Sequence, residues 1–250
     1  MKVEFVFVGL LLAYAALVVR LISILPFFKG YSNGFDNQDG SLKVSLFEHK
    51  AKRPLRLCLF LGSGGHTGEM LRLIENYKRV LLAKGNTICV GYSDQKSKEC
   101  FVRSITSEYP DCRFEYYQFK KAREVNASLL QSLISVLQTL LTSLKNVIKI
   151  SSDFRQGPHL VLLNGPGTCC IIATWFKMLE FLNFAQPCSN LVYVESLARI
   201  NTLSLTGKIL YYIADVFIVQ WQELTSQNPR AKCFGILVWS SLNLHKPSIE

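Results

Sequence analysis

The stretch from Leu55 to Met70, LRLCLFLGSGGHTGEM, places the strongest constraint on the fold of this chain. An apolar run of strand length, Leu55 to Leu61, is followed by four glycines within seven residues. A helical pattern then opens at Met70 and runs to a C-terminal cap at Gly85. This order predicts a strand, a glycine loop and a helix, in which free N–H groups and the helix dipole favour a phosphate or another anion.

The spacing of the glycines separates this loop from two common phosphate-binding loops. The loop of nucleotide hydrolases requires Lys followed by Ser or Thr, and no Lys is present here. The dinucleotide fingerprint would place its third glycine at Thr67, but the glycine falls one residue later, at Gly68. A tight turn without a ligand remains an alternative. His66, within the loop, is a candidate general base or phosphate partner.

The segment from Phe5 to Phe28 is apolar except for Arg20, and it is about long enough to cross a bilayer core of ~30 Å. We predict a single membrane anchor over residues 1–29 rather than a cleaved signal peptide. A position partly in the membrane interface is the alternative. Basic residues cluster after this segment, so the positive-inside bias predicts a cytosolic C-terminal portion. Residues 30–53 are polar and glycine-containing, as expected of a linker.

The net charge of +10 does not indicate nucleic-acid binding, because no basic stripe interleaved with aromatic residues and no known nucleic-acid module occurs. Anionic lipid head groups are the simpler partners, and Lys120, Lys121 and Arg123 form the candidate lipid-facing cluster. The eight cysteines lack metal-site spacing and are expected to be small core residues, so no metal site is predicted. Asn126 begins a glycosylation sequon that we expect to be unmodified in a cytosolic domain.

The rest of the chain alternates strand and helix patterns, which predicts a Rossmann-like parallel sheet in one α/β domain at 54–238, followed by a polar tail at 239–250. Asp94 either contacts a ribose or caps the next helix. The predicted strands are Thr87–Tyr92, Arg113–Phe119, His159–Leu163, Leu191–Val194, Asp215–Gln220 and Cys233–Val238, and the predicted helices are Gln95–Tyr109, Ala127–Ile150, Cys169–Phe184 and Lys208–Tyr212.

A second glycine loop, NGPGT at 164–168, follows the fourth strand, and Glu195 follows the fifth. In an open parallel sheet the loops after the first, fourth and fifth strands emerge at one edge. We therefore expect the loop at 62–69, the loop at 164–168 and Glu195 to meet in one cleft. Glu195 is either a ligand or proton-transfer group, or it caps a helix or pairs with Arg199.

The predicted helix Ala127–Ile150 has an unusually wide apolar stripe and few charges. It either lies buried against the sheet or turns part of this stripe toward lipid beside the lipid-facing cluster.

Several stretches, in this order, resemble one family. They are the apolar N-terminal anchor, LGSGGHTGEM at 61–70, REV at 123–125, NGPGT at 164–168, YVES at 193–196, LSLTGKILYYIAD at 203–215 and QW at 220–221. The family is the membrane-anchoring subunit of the two-part UDP-N-acetylglucosamine transferase of dolichol-linked oligosaccharide synthesis. The chain is also similar to the N-terminal, acceptor-side half of the bacterial glycosyltransferase that adds N-acetylglucosamine to a lipid-linked cell-wall precursor. The family's L-G-R-I-V-like ending corresponds to FGILV at 234–238, which lacks the Arg.

The resemblance implies one Rossmann-like half of a GT-B glycosyltransferase on the cytosolic face of the endoplasmic reticulum. A separately encoded catalytic subunit would bind UDP-N-acetylglucosamine, the donor, and the acceptor would be dolichyl-diphospho-N-acetylglucosamine. The resemblance implies no firm cofactor and leaves a divalent metal open. It makes His66 and Glu195 the candidate catalytic residues. The candidate substrate-binding residues are Gly62, Ser63, Gly64, Gly65, Thr67, Gly68, Asn164, Gly165, Gly167 and Thr168.

The length of the chain agrees with an incomplete cleft. After the anchor and linker about 200 residues remain, enough for one α/β domain but not for two. We therefore expect little activity without the partner. The rival classes are a self-sufficient nucleotide-sugar-dependent glycosyltransferase, which would need a second substrate domain, and a purely structural membrane scaffold, which would not need two glycine loops at one sheet edge.

Overall fold

A computed structural model of the protein describes residues 2–26, 54–122, 129–182 and 189–238. The predicted linker at 30–53, Arg123, Asn126 and the tail at 239–250 lie outside these ranges. The helices are α1 Lys2–Ile24, α2 Gly65–Asn76, α3 Lys78–Leu81, α4 Gln95–Phe101, α5 Leu129–Asp153, α6 Thr168–Leu182, α7 Leu205–Ile213 and α8 Glu223–Gln227, and the strands are β1 Arg56–Leu61, β2 Thr87–Tyr92, β3 Arg113–Gln118, β4 His159–Asn164, β5 Leu191–Val194, β6 Val216–Val219 and β7 Ala231–Cys233.

The strands form one sheet with the order β3-β2-β1-β4-β5-β6-β7, and every neighbouring pair is parallel. The predicted Rossmann-like parallel sheet is therefore confirmed. The chain moves outward from β1 in one direction through β2 to β3, and in the other through β4 to β7. The direction reverses between β1 and β4, and in open parallel sheets ligands bind outside the carboxyl ends of the strands at such a point.

Helices cover both faces of the sheet, and β1 shows how the strands serve both layers. Leu57, Leu59 and Leu61 belong to a core that they share with α2 and α4, whereas Cys58 and Phe60 belong to a core that they share with α5, α6 and α7. Successive side chains of a strand point to opposite faces. A central strand buried on both faces is continuously apolar, which is why the sequence shows an unbroken apolar run there.

Several predicted elements differ from the observed ones. The helix expected to run from Met70 to Gly85 begins earlier, at Gly65, and is divided at Tyr77 into α2 and α3. The helix predicted over Gln95–Tyr109 is shorter in the structure. It ends at Phe101 as α4, and a π-helical turn over Val102–Thr106 follows. The predicted last strand at Cys233–Val238 was wrong, because β7 is Ala231–Cys233 and the following apolar residues pack in the core on the side of α2.

Among the described helices, α1 alone is long and apolar enough to cross a membrane by length and composition. Its 23 residues make a helix of about 35 Å. The end of α1 contacts the domain: Arg20 donates hydrogen bonds from Nε to the Phe181 carbonyl at 2.8 Å and from Nη2 to the Glu180 carbonyl at 2.7 Å. Ile24 is buried. Helix α1 therefore lies against the C-terminal end of α6.

Candidate functional site

The loop after β1 leads directly into α2. Gly64, the residue before the helix, has a φ of +59°, which favours glycine. The amides of Thr67 and Gly68 both bond to the Gly64 carbonyl, at 3.1 and 3.4 Å. They belong to the first helical turn and are not free for a ligand. The sequence predicted that the amides from Ser63 to Gly68 surround an anion. The amides from Ser63 to His66 precede Thr67, the first amide bonded within the helix, so they remain available to an anion.

The side chain of Thr67 points into the protein rather than toward a substrate. Its hydroxyl bonds to the Gly62 carbonyl and lies 2.8 Å from Oγ of Ser97. Ser97 Oγ is itself 2.8 Å from the same carbonyl and also bonds to Asp94. Asp94 accepts from the Lys96 amide at 3.1 Å and therefore caps α4, the second of its two predicted alternatives. These contacts fix the shape of the loop.

The loop after β4 interlocks with the first loop through His66. Gly165 has a φ of +96°, and a Cβ at this position would lie only 2.4 Å from Cγ of His66. A Cβ at Gly62 would lie 2.8 Å both from Cβ of His66 and from Cδ of Pro166. The two loops therefore meet at the switch point as the sequence predicted. Close approach requires glycine at both 62 and 165, and the positive φ favours it at 165 as well.

Thr168 and Gly167 face the segment that follows β3. The Thr168 hydroxyl accepts from the Ala122 amide at 3.1 Å, and a Cβ at Gly167 would be 3.9 Å from Cβ of Ala122. The preceding residues Lys120 and Lys121 are exposed. The described part of the candidate lipid-facing cluster thus lies beside the second glycine loop, at the carboxyl edge of the sheet.

Glu69 links α2 to the ends of β4 and β5, although the sequence placed it only in the first turn of a helix. One carboxylate oxygen accepts from Oγ of Ser196 at 2.8 Å and from the Leu197 amide at 3.2 Å. The other accepts from Nδ2 of Asn164 at 2.9 Å. Asn164 Nδ2 also donates to the Val194 carbonyl at 3.1 Å. The signal in the sequence that could have identified Glu69 was its position in the motif GGHTGEM, three residues after His66.

Glu195 is enclosed in the protein and is 1% exposed. It accepts from the amides of Ser196 at 3.0 Å and Ser204 at 3.1 Å, and from the Ser204 hydroxyl at 3.0 Å. A Cβ at Gly207 would lie 1.9 Å from its carboxylate. The N-cap of α7 is Ser204, whose hydroxyl accepts from the Gly207 amide at 2.9 Å, so Glu195 does not cap the helix itself but accepts from its N-cap residue. The carboxylate is thus engaged by donors of its own chain.

The residues of the QW pair support the loop after β5. Gln220 Nε2 donates to the Glu195 carbonyl at 3.0 Å, and Trp221 Nε1 donates to the Leu197 carbonyl at 2.7 Å. Four buried side-chain polar atoms in the described part of the chain have no hydrogen-bond partner. Three of them lie at the carboxyl edge of the sheet: Nδ1 of His66, Oδ1 of Asn164 and Oε1 of Gln220. Such groups cost about 1–3 kcal/mol each unless another molecule completes them.

The thiols near this edge are suited to packing and not to catalysis. Burial raises the pKa of Cys169 well above its usual value and raises the pKa of Cys170 to about 11, so both are neutral thiols at physiological pH. Cys89, Glu115 and Asp153 lie close enough together to hold a metal ion. However, Glu115 is already engaged by Arg113 and Tyr117, and burial raises the pKa of Cys89 to about 12. This group is therefore poorly suited to metal binding.

Comparison with known proteins places the chain in a family. Residues 57–237 match the family model described as oligosaccharide biosynthesis protein Alg14 like. The chain is 48% identical over 239 residues to the UDP-N-acetylglucosamine transferase subunit ALG14 of Saccharomyces cerevisiae, covering 95% of this chain and 100% of that protein. It is 34% identical to the subunit of the same name from Mus musculus, over 75% of this chain and 85% of that protein.

Among solved structures, a crystal structure of a UGT transferase from Siraitia grosvenorii in complex with UDP matches 56% of this chain and 27% of that chain, with a TM-score of 0.34 and 15% identity. The family model covers most of the chain, and the yeast and mouse relatives align with the chain over most of their own lengths. The chain belongs to the Alg14 family of oligosaccharide biosynthesis proteins.

Proposed function

We propose that this chain is the membrane-anchoring and recruiting subunit of a UDP-N-acetylglucosamine transferase, and that it contributes the acceptor side of a cleft completed by a separately encoded catalytic subunit. The complex would act at the cytosolic face of the endoplasmic reticulum membrane. It would transfer N-acetylglucosamine from UDP-N-acetylglucosamine to dolichyl-diphospho-N-acetylglucosamine. The names of the relatives support the assignment to a transferase subunit.

One observation carries the proposal. The crevice at the switch point is half of a site: it offers the first free amides of α2, an imidazole and polar atoms without partners, in a described chain that holds one sheet. A GT-B active site lies between two such domains, and the described residues form one of them, so in this proposal the catalytic subunit supplies the donor half.

In this proposal the acceptor hydroxyl attacks the anomeric carbon of the donor sugar, the bond to the diphosphate breaks, and UDP leaves. His66 accepts or orients the proton of the attacking hydroxyl, a role suited to an imidazole near neutral pH. The amides from Ser63 to His66 at the start of α2 face a phosphate of the acceptor or donor. Asn164 and Gly165 line the opposite wall of the crevice. Glu195 supports the α7 side from within the fold.

The experiment that tests the proposal is the transfer of radiolabelled N-acetylglucosamine from its UDP donor to a dolichyl-diphospho-N-acetylglucosamine acceptor. Membranes carry this chain alone, the candidate soluble subunit alone, or both. We expect product only when both are present. Product from this chain alone would show that the 250 residues hold a complete enzyme with its own donor site. Membrane recruitment without product from the pair would favour a scaffold without a role in the cleft.

A further inference from the structure

The side-chain amide of Asn164 is held in one orientation at the end of β4. Its Nδ2 donates to Oε2 of Glu69 at 2.9 Å and to the Val194 carbonyl at 3.1 Å, so both of its N–H groups are used. A reversed amide would place Oδ1 against a carboxylate and a carbonyl, neither of which can donate a hydrogen bond. These contacts fix which end of the amide is the oxygen, and they direct Oδ1 away from Glu69.

Oδ1 of Asn164 is an acceptor without a donor. Asn164 is 1% exposed, and no described residue donates a hydrogen bond to Oδ1. Buried acceptors of this kind are rare in native proteins, because they lose their hydrogen bonds to water. The missing group is therefore a hydrogen-bond donor. The diphosphate of a lipid-linked or nucleotide-linked sugar is ionised at neutral pH and has no proton to donate, whereas the hydroxyls and the acetamido N–H of the sugar do.

Glu69 is itself held from the other side. Its Oε1 accepts from Oγ of Ser196 at 2.8 Å and from the Leu197 amide at 3.2 Å, while Oε2 binds Asn164. Hydrogen bonds to a carboxylate are stronger than those between neutral groups. The carboxylate thus joins α2, the end of β4 and the loop after β5, and it determines which atom of the Asn164 amide remains for another molecule.

The space next to this pair is open. Gly65 lies four residues before Glu69 and therefore on the same side of α2. Apart from its own helix, nothing in the described part of the chain comes within 4 Å of a Cβ at Gly65, and Glu69 is only partly buried. On the other side, Asn164 is followed by Gly165, on which the ring of His66 packs. A group bound over Gly65 thus lies beside the Glu69–Asn164 pair and close to the candidate base.

We propose that Oδ1 of Asn164 accepts a hydrogen bond from a hydroxyl or the acetamido N–H of a sugar that enters over Gly65, and that Glu69 is the positioning residue that keeps this oxygen directed at the sugar. The inference rests on the transferase function proposed above and names the part of the substrate that this wall of the crevice recognises. Acceptor and donor both carry N-acetylglucosamine, so either sugar can supply the group. A ligand without the donor leaves the buried oxygen unpaired and is rejected.

The first test measures the binding of dolichyl-diphospho-N-acetylglucosamine to the full chain in detergent, without the catalytic subunit. It is compared with analogues that each lack one sugar donor, through removal of one hydroxyl or through an ester in place of the acetamido N–H. We expect one analogue to bind at least about tenfold more weakly, the scale of a buried acceptor left unpaired.

Glu69→Gln tests the positioning role. The glutamine carbonyl is expected to face the two donors of Ser196 and Leu197, which places its NH₂ group against Asn164 and favours a reversed Asn164 amide. The preference between the two ligands should then fall below about threefold, because Nδ2 replaces Oδ1 toward the sugar. Glu75→Gln is the matched control, since Glu75 is exposed on the same helix, and it should keep the full preference.

The second test assigns the group to one of the two sugars. Binding of UDP-N-acetylglucosamine to the complex of both subunits is compared with binding of donor analogues that are modified in the same way. A preference seen only here, and lost in Glu69→Gln, assigns the group to the donor sugar. Equal binding of all analogues in both tests would overturn the proposal, and so would a preference that Glu69→Gln leaves unchanged.

The comparison of ligands in the unchanged protein does not depend on the folding of any variant. If thermal unfolding shows that Glu69→Gln is not folded, Asn164→Ala replaces it, because it removes the accepting oxygen and should abolish the preference. Binding is measured without turnover. A complex that binds with the expected preference but forms no product would contradict the proposed transferase function and leave the role of Asn164 in sugar binding supported.

Discussion

His66 is the residue at which the two glycine loops depend on each other. Its ring occupies the space that a side chain at Gly165 would need, and its Cβ lies against Gly62. Nδ1 of the ring is buried without a partner among the described residues. The ring is therefore held in place by packing, while Nδ1 keeps an unused hydrogen-bonding capacity.

We expect His66→Ala to reduce transfer of N-acetylglucosamine by the complex about 100-fold or more, the scale of lost general acid–base catalysis. Recruitment of the catalytic subunit should be unchanged, because the substitution removes side-chain atoms without altering α2. Co-purification of the two subunits measures recruitment. His66→Gln is the matched variant, since it keeps a hydrogen-bonding side chain but cannot take up the proton. Normal turnover in the alanine variant would remove His66 from the mechanism.

The two glutamates at this edge show what the sequence could and could not reveal. Glu195 was predictable as a residue at the end of β5, but only the fold shows that the amide of Ser204 and the backbone at Gly207 enclose its carboxylate. Glu69 was overlooked because an acid in the first turn of a helix is already explained by the helix dipole. Its bonds to Asn164 and Ser196 depend on tertiary contacts across 95 and 127 residues, which no local pattern contains.

We expect Glu195→Gln to destabilise the protein by about 1–3 kcal/mol. The substitution replaces one accepting oxygen by an amide NH2 group, which then faces the donors of Ser196 or Ser204 at the start of α7. Transfer per folded molecule should remain close to that of the unchanged protein. Thermal unfolding in detergent together with the transfer assay separates the two effects. A large loss of transfer with unchanged unfolding temperature would instead give Glu195 a chemical role.

Buried thiols predict a loss of stability at high pH. Burial raises the pKa of Cys89 from its usual value of 9.0 to about 12. Because the pKa of Cys89 is higher in the folded protein than in the unfolded chain, the neutral thiol contributes fully to the free energy of unfolding below pH 9. This contribution is lost between pH 9 and 12, at about 1.4 kcal/mol per pH unit. Unfolding temperatures measured from pH 8 to 11 should therefore fall. The fall should be shallower in Cys89→Ala, and an identical slope in both proteins would contradict the assignment.

At the scale of elements, α2 begins with backbone that no other part of the described chain covers. A Cβ at Gly65 or Gly68 would meet nothing within 4 Å, so neither glycine is required by packing. Glycine within a helix costs about 0.5–1 kcal/mol relative to alanine. The domain thus carries an unfavourable residue at the surface of its candidate site, as expected where a ligand or partner approaches the helix closely.

We expect Gly68→Ala to raise the free energy of unfolding by up to about 1 kcal/mol while lowering transfer at least tenfold. Arg72→Ala is the control, because Arg72 is exposed on the same helix and also becomes alanine. It should leave transfer unchanged. Higher stability together with lower activity in Gly68→Ala would show that the substrate or the catalytic subunit contacts the exposed backbone at Gly68 closely. Full activity in this variant would show that it does not.

The elements that the sequence predicted best are those whose environment is uniform. β1, β2, β4 and β5 are buried on both faces and appear as apolar runs with nearly correct ends. β7 is a short edge strand that contains Lys232, so it has no such run. The strand was predicted over the apolar residues after it instead. Leu237, one of these residues, is apolar because it packs in the core, and its carbonyl accepts from the Asn76 side chain at 2.6 Å. The pairing that defines β7 is a long-range property.

At the scale of the whole molecule, α6 connects the membrane anchor to the crevice. It begins at Thr168, in the second glycine loop, and ends at Leu182, beside the carbonyls that bind Arg20. Its 15 residues span about 22 Å. Arg20 places a positive charge at the negative end of this helix dipole. Helix α1 is therefore attached to the same helix that positions one wall of the candidate site. We propose that α1 orients the domain as well as tethering it.

Arg20→Leu tests this orienting role, because leucine keeps α1 apolar while removing both hydrogen bonds to α6. We expect the variant to resist extraction from membranes as fully as the unchanged protein. Its domain should unfold at a lower temperature, since charged hydrogen bonds of this kind contribute about 1–3 kcal/mol. Transfer to the lipid-linked acceptor should fall although the crevice is intact. Arg20→Lys, which keeps the charge but not the forked donor, should lie between the two. Unchanged stability and transfer in Arg20→Leu would reduce α1 to a tether without influence on the orientation of the crevice.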